Sequence, residues 1–387
     1  MRRLTLCLAA ICVIWVCHIT SAQDRGFASA IEWSPDGETI AIASTKGLWF
    51  FDAQFNELGY VEIEQGKYDM SPRSLSWNAT GDLVAIGFPM YVEVDKQIQV
   101  IDVDKLEVIT EIVNHLLWTQ VEWHPTDNLL AAGSWSGEAH VWDALTGKAL
   151  FEFEESAERH INGYTRTRNS TLAVCWFTES VIAIVTLYET YLVDVELNKT
   201  LQSFDIRTVS NPVDCTGDYK IFAGSHEIVD LKTGTSVAIP NRNEINRAES
   251  LFPDVKSSVI NEQDGEFSPD GSKYLIIEEG CLLHIHDGND GKSLTSVRGG
   301  MYFVQEPYTP FADSLAWHPD GSRFAAVGQF GGIRIWDGET YDLLQRFDGF
   351  EAGYGEISFR LNFYSEESLN QIEAFKKKCI KALNVEL

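Results

Sequence analysis

Basic residues are scarce in this chain: 30 Lys and Arg stand against 57 Asp and Glu across 387 residues, a formal net charge of -27. A surface of that sign repels phosphate backbones, and no compensating basic patch is visible, so nucleic acid is excluded as an expected partner. Beyond residue 19 there is no apolar run approaching the ~20 residues that a bilayer span requires. Cys-x-x-Cys pairs and zinc-like spacings are missing. So are Gly-x-Ser-x-Gly, His-Glu-x-x-His and any phosphate-cradling glycine loop. No catalytic residue, metal or cofactor is therefore expected. His284 and His286 point the same way on one strand, but no third ligand accompanies them. The DGNDG stretch from Asp287 to Gly291 has the wrong offsets for a calcium loop and reads as a hairpin turn.

What is present begins with the first 22 residues. Arg2 and Arg3 precede an apolar run from Leu4 to about Ile19, and Thr20, Ser21 and Ala22 follow. Charge, a short greasy segment and small residues make an export signal, with a cut expected after Ala22; a retained signal-anchor is the alternative. Three of the seven cysteines, Cys7, Cys12 and Cys17, go with it. Cys175, Cys215, Cys281 and Cys379 remain, widely spaced and in hydrophobic contexts. Export permits disulfides, but the spacing favours buried free thiols.

One phrase then recurs down the chain. Trp33 opens WSPDGETIAIAS, Trp77 WNATGDLVAIGF, Trp123 WHPTDNLLAAGS, Phe267 FSPDGSKYLIIE and Trp317 WHPDGSRFAAVG. Two eroded copies start at Trp176 and at Asp214. Downstream of each stands an aspartate closing an apolar strand: Asp52, Asp102, Asp143, Asp194, Asp230, Asp287 and Asp337. Each unit reads as four short antiparallel strands, with a Pro-Asp-Gly-type turn after the first and a Gly- or Asn-containing turn after the third. Small residues such as Ala41 and Ala43, or Ala85 and Gly87, let neighbouring sheets approach closely. A four-stranded sheet with two apolar faces cannot bury itself, whereas a ring of them can. The expected fold is all-β, a seven-bladed β-propeller over residues 23–354. The strand-end aspartates are assigned as braces that accept backbone N–H bonds from their turns.

The Trp-Ser-Pro-Asp-Gly phrase and the Trp142–Asp143 and Trp336–Asp337 pairs resemble WD-repeat β-propellers, whose period is ~40–45 residues. The resemblance covers roughly residues 27 to 350. The family's Gly-His pair before the first strand is nearly absent, with Asn114–His115 its one relic.

Function in such a ring sits in loops rather than in strands committed to packing. The long connections join a fourth strand to the next first strand and leave on one face. Tyr302, Phe303, Tyr308 and Phe311 share one of them, and Tyr164, Arg166 and Arg168 share another. Aromatic and arginine side chains are the usual interface anchors, so a protein or peptide partner is expected there. The expected role is a secreted or periplasmic binding scaffold. The alternative is a metal-dependent hydrolase, or another enzyme, whose acids converge at the channel mouth. Residues 355–387 form a separate extension with an amphipathic helix from about Glu366 to Leu383, capped by Ser365. Either the ring closes by side-chain packing, or Glu356–Phe363 adds a strand.

Overall fold

A computed structural model describes residues 25–350, apart from 64–71, 73, 89–97, 114–117, 135–136, 155–158, 162–163, 167–170, 207–213, 217, 224–226, 240–263, 279–281, 299–313 and 329–331. The expected C-terminal helix, the 356–363 segment, Asn114–His115, Cys281 and Cys379 lie outside the described residues.

The described chain folds into seven four-stranded antiparallel sheets, each built from consecutive strands. They span residues 28–62, 74–112, 118–154, 171–204, 214–238, 264–298 and 314–347, here blades one to seven. The first strands touch one another in a closed cycle, from Ala28–Trp33 in blade one round to Ser314–Trp317 in blade seven. They form the wall of the central channel, and the fourth strands form the rim. The structure is a seven-bladed propeller.

Its core is divided among the gaps between blades. Seven buried clusters are present, one for each seam. The anchor aromatic of each first strand is wedged into the seam with the blade before it. Trp33 packs on blade seven, Trp77 on blade one, Trp123 on blade two, Trp176 on blade three, Phe267 on blade five and Trp317 on blade six. A Trp or Phe buries a large apolar area, so each seam is zipped by its own wedge.

Blade five departs from the pattern, and here the sequence expectation needs correcting. Its anchor is Cys215, not Asp214. Lys220 pairs with Asp230 and Cys215 with Ile221, as Thr39 pairs with Asp52 and Trp33 with Ile40 in blade one. Asp214 stands one position earlier, on the face turned towards blade six. No aromatic marks the register in this copy, and the turn is shortened, so the sequence alone misplaces it by one residue.

The rim repeats a second device. In six blades the fourth strand carries a β-bulge at the same register, and the extra residue is an exposed aliphatic: Leu58, Ile109, Leu150, Leu201, Leu294 and Leu344. A bulge twists an edge strand out of the geometry that another strand could extend. Blade five pairs its fourth strand without one.

The ring shuts where blade one meets blade seven. Trp33, Trp49, Phe51 and Phe55 meet Ala325, Val327, Ile333, Ile335 and Phe350 in a single cluster. Phe55 stacks on Phe347 at 4.7 Å. Arg25 lies over the rings of Trp49, Phe51 and Phe347 at 5.1, 5.6 and 5.9 Å. Its guanidinium also donates to the Gly349 carbonyl at 3.2 Å and to Glu57 Oε2 at 2.7 Å. Among the described residues, side-chain contacts thus hold the first blade to the last.

Candidate functional site

Antiparallel order gives the propeller two unlike faces. Turns after the first and third strands emerge on one face. Connections after the second strand and between blades emerge on the other. The long connections therefore share the second face. One contains a short hairpin in which Arg159–Ile161 pairs with Tyr164–Arg166, setting Ile161 opposite Tyr164 and Arg159 opposite Arg166. Tyr302, Phe303, Tyr308, Phe311 and Arg168 lie outside the described residues.

The turn face is closed by hydrogen bonds. Asp52 Oδ1 accepts from the N–H groups of Gln54 and Asn56, Asp102 from Lys105, and Asp143 from Leu145 and Thr146. Asp194 accepts from Leu197, Asp230 from Lys232 and Thr233, Asp287 from Asn289 and Asp290, and Asp337 from Glu339 and Thr340. Each aspartate braces its own turn. In the first turns Asp270 does similar work: the Ser268 hydroxyl, followed by the Ser272 N–H, holds its carboxyl down at about 2.

Two histidines tie turns across seams. His124 Nδ1 accepts from the N–H of Asp127 at 2.9 Å, so Nε2 carries the proton and donates to the Glu179 carbonyl of blade four at 2.7 Å. His318 repeats the reach, with Nε2 at 3.2 Å from the Gly37 carbonyl of blade one. Gly37 has φ +74, and a Cβ there would sit 2.2 Å from His318 Nε2. Only glycine fits this position.

On the channel wall, the residue just before each anchor faces the next blade. The positions hold Glu32, Ser76, Glu122, Cys175, Asp214, Glu266 and Ala316. Ser76 Oγ accepts from the Trp123 N–H at 2.9 Å. Asp214 Oδ2 accepts from Phe267 at 2.6 Å, and Glu266 Oε1 from Trp317 at 3.3 Å. An inner strand has an unpaired edge, and these acceptors satisfy part of it from the blade before.

The four acids keep only partial contact with solvent along the channel, and in Glu32, Glu122 and Asp214 that environment disfavours the charge. Burial, then repulsion by Glu122, pushes Glu32 well above the usual carboxylate range. Burial raises Glu122 to about 8, with the Asp214 charge adding to it. Asp214 rises to about 6 through burial, opposed by the N–H bonds of Phe267 and Cys215. At neutral pH Glu122 is therefore mostly protonated. Among the described residues, Glu32 Oε2 is buried without a hydrogen-bond partner.

At the seam between blades four and five the same pair of positions is linked covalently. Cys175 and Cys215 form a disulfide, with Cα atoms 6.1 Å apart. This corrects the expectation of free thiols. Forty residues separate the two in sequence, about one blade, and the repeat makes them neighbours.

Residues 107–143 match the family model described as WD domain, G-beta repeat. The match runs from the fourth strand of blade two through the third strand of blade three and ends on Trp142–Asp143. The chain is a seven-bladed β-propeller that carries a WD-repeat match over these residues. Among solved structures it resembles the β-propeller domain of Myceliophteria thermophila Cps50 (Swd1), at 15% identity and a TM-score of 0.60, over 81% of this chain and 96% of that one. The likeness establishes the fold alone. A search of curated proteins finds no match to the chain.

Within this propeller, sequence reasoning missed the channel acids and the cystine. A usable signal was present: Glu-Trp in AIEW and VEWH, and Glu-Phe in DGEF, set an acid directly before the anchor in three copies. His284 and His286 are both buried; His284 Nδ1 lies 2.7 Å from Ser296 Oγ, and His286 Nδ1 lies 3.2 Å from the Gly291 carbonyl. Among the described residues, no group of three or more His, Cys, Asp and Glu is arranged to share a metal ion.

Proposed function

We propose that this WD-repeat propeller is exported and binds a protein or peptide partner on its long-connection face. The observation that carries the reading is the asymmetry of the faces. The turn face spends its polar groups on bracing itself, while the longest and most aromatic connections all leave from the other side. WD-repeat propellers typically serve as protein-interaction scaffolds, which supports the same class of role. Tyr302, Phe303, Tyr308 and Phe311 are the contact residues of one connection, and Tyr164, Arg166 and Arg168 of another; rigid aromatics and arginine give much contact area for little entropy. Export is supported by the Arg-Arg, apolar and small-residue pattern of residues 2–22 and by the Cys175–Cys215 disulfide, which suits an oxidising compartment.

The test uses the full chain recovered from the exported fraction. The mature protein is expected to begin at Gln23 by N-terminal sequencing. A Tyr302→Ala/Tyr308→Ala variant is expected to lose a co-purifying partner while its thermal midpoint is unchanged. Full retention of the partner would remove that connection from the binding site.

A further inference from the structure

We infer that the Cys175–Cys215 bond takes the place of the missing aromatic wedge in blade five, and that the strength of this one seam therefore depends on thiol oxidation. Three observations lead there. First, the bond joins the two positions that make stitches elsewhere: the residue before one anchor and the anchor of the next blade. Ser76, Asp214 and Glu266 make that stitch by hydrogen bonding to an anchor N–H. Second, six anchors are Trp or Phe, each less than a tenth exposed, whereas the seventh is a half-buried cysteine. Third, among the described residues blade five is the slightest of the seven. Its first strand, Asp214–Thr216, has three residues and its other strands four each, and it alone lacks the rim bulge.

A short strand with a small anchor removes less apolar surface from water than its neighbours do, so its docked state gains less from packing. A covalent link makes up the difference by limiting how far the blade departs when it opens. The chemistry balances as thiol–disulfide exchange. One cysteine thiolate attacks the disulfide of a thiol oxidant, giving a mixed disulfide and releasing one thiol. The second cysteine thiolate then displaces the other thiol, so two protons and two electrons leave the chain with the oxidant.

The experiment is peptide mapping of the exported full-length protein without reductant, followed by hydrogen exchange with and without it. Trypsin is expected to yield residues 169–199 disulfide-linked to 208–220. On reduction, amides of residues 214–238 are expected to exchange about tenfold faster or more, with those of blades two and three unchanged. The thermal midpoint is expected to fall by roughly 5–10 °C. A Cys175→Ala/Cys215→Ala variant is expected to show the fast exchange without reductant and no further response to it. Should that variant fail to fold, reduction of the native protein carries the same test. Free thiols at both positions, or exchange in blade five that ignores reduction, would overturn the inference. N-terminal sequencing reads the export reading separately, so the two can fail independently.

Discussion

Two seams of the same ring are held by opposite means. Between blades seven and one, Trp33, Trp49, Phe51, Phe55, Phe347 and Phe350 crowd together under the Arg25 guanidinium, with no disulfide there among the described residues. Between blades four and five the following blade has no aromatic anchor on its first strand; Tyr219 of its first turn stacks on Phe177 at 4.5 Å, and the cystine bridges the gap. Closure therefore does not need one standard contact. A ring is only as stable as its weakest gap, and packing area and a covalent tether are interchangeable ways to raise that minimum.

The comparison can be broken from either side. The largest effect is expected at the aromatic seam: Phe51 is fully buried against Phe347 at 5.4 Å, and Phe51→Ala should cost about 3–5 kcal/mol in urea unfolding, with or without reductant. Next comes the cystine. A disulfide closing a 40-residue loop is worth about 4 kcal/mol by chain entropy, and this should vanish entirely under reductant. Equal reductant sensitivity in Cys175→Ala/Cys215→Ala and native protein would erase the distinction between the seams.

A third change sharpens the comparison at the channel wall. Glu122 has its folded value raised to about 8, above the ordinary carboxylate value. The unfolded chain thus releases this proton first, and native stability falls as pH rises from about 4 to about 8. Glu122→Gln should remove that loss, gaining roughly 3 kcal/mol over the native protein at pH 9, the full linkage value of about 5 cut by the group's partial solvent contact, and almost nothing at pH 4. Parallel stability curves for the two proteins across that window would contradict it. The smallest effect is expected on the turn face, at Asp270. Its value is held down at about 2, so its contribution is complete above about pH 4 and is lost as pH falls towards 2. Because the side chain is exposed, Asp270→Asn should cost about 1 kcal/mol or less at pH 7 and shift acid unfolding slightly upward.

How much of this was readable in the sequence follows from which forces are local. The Trp-x-Pro-Asp-Gly turns and strand-end aspartates are chosen by backbone geometry within a few residues, so the blade count and the propeller followed from them. Cys215 was misread because an anchor is recognised by its aromatic, and here the tether has replaced it. Glu32, Glu122 and Asp214 look like ordinary solubilising acids in a chain of net charge -27. Their burial arises only when seven first strands face one another around a channel. The cystine is invisible for the same reason, since its two halves meet only through the repeat.

Arg25 donates to the carbonyl of Gly349, so the two ends of the described chain lie side by side. A polypeptide spliced from residue 350 back to residue 25, and cut open between two other blades, would travel the same circle from a different starting point. Which sheet counts as the first is then an accident of synthesis. Such rewired variants, opened at each gap in turn, would rank the joints by how well the circle survives each cut.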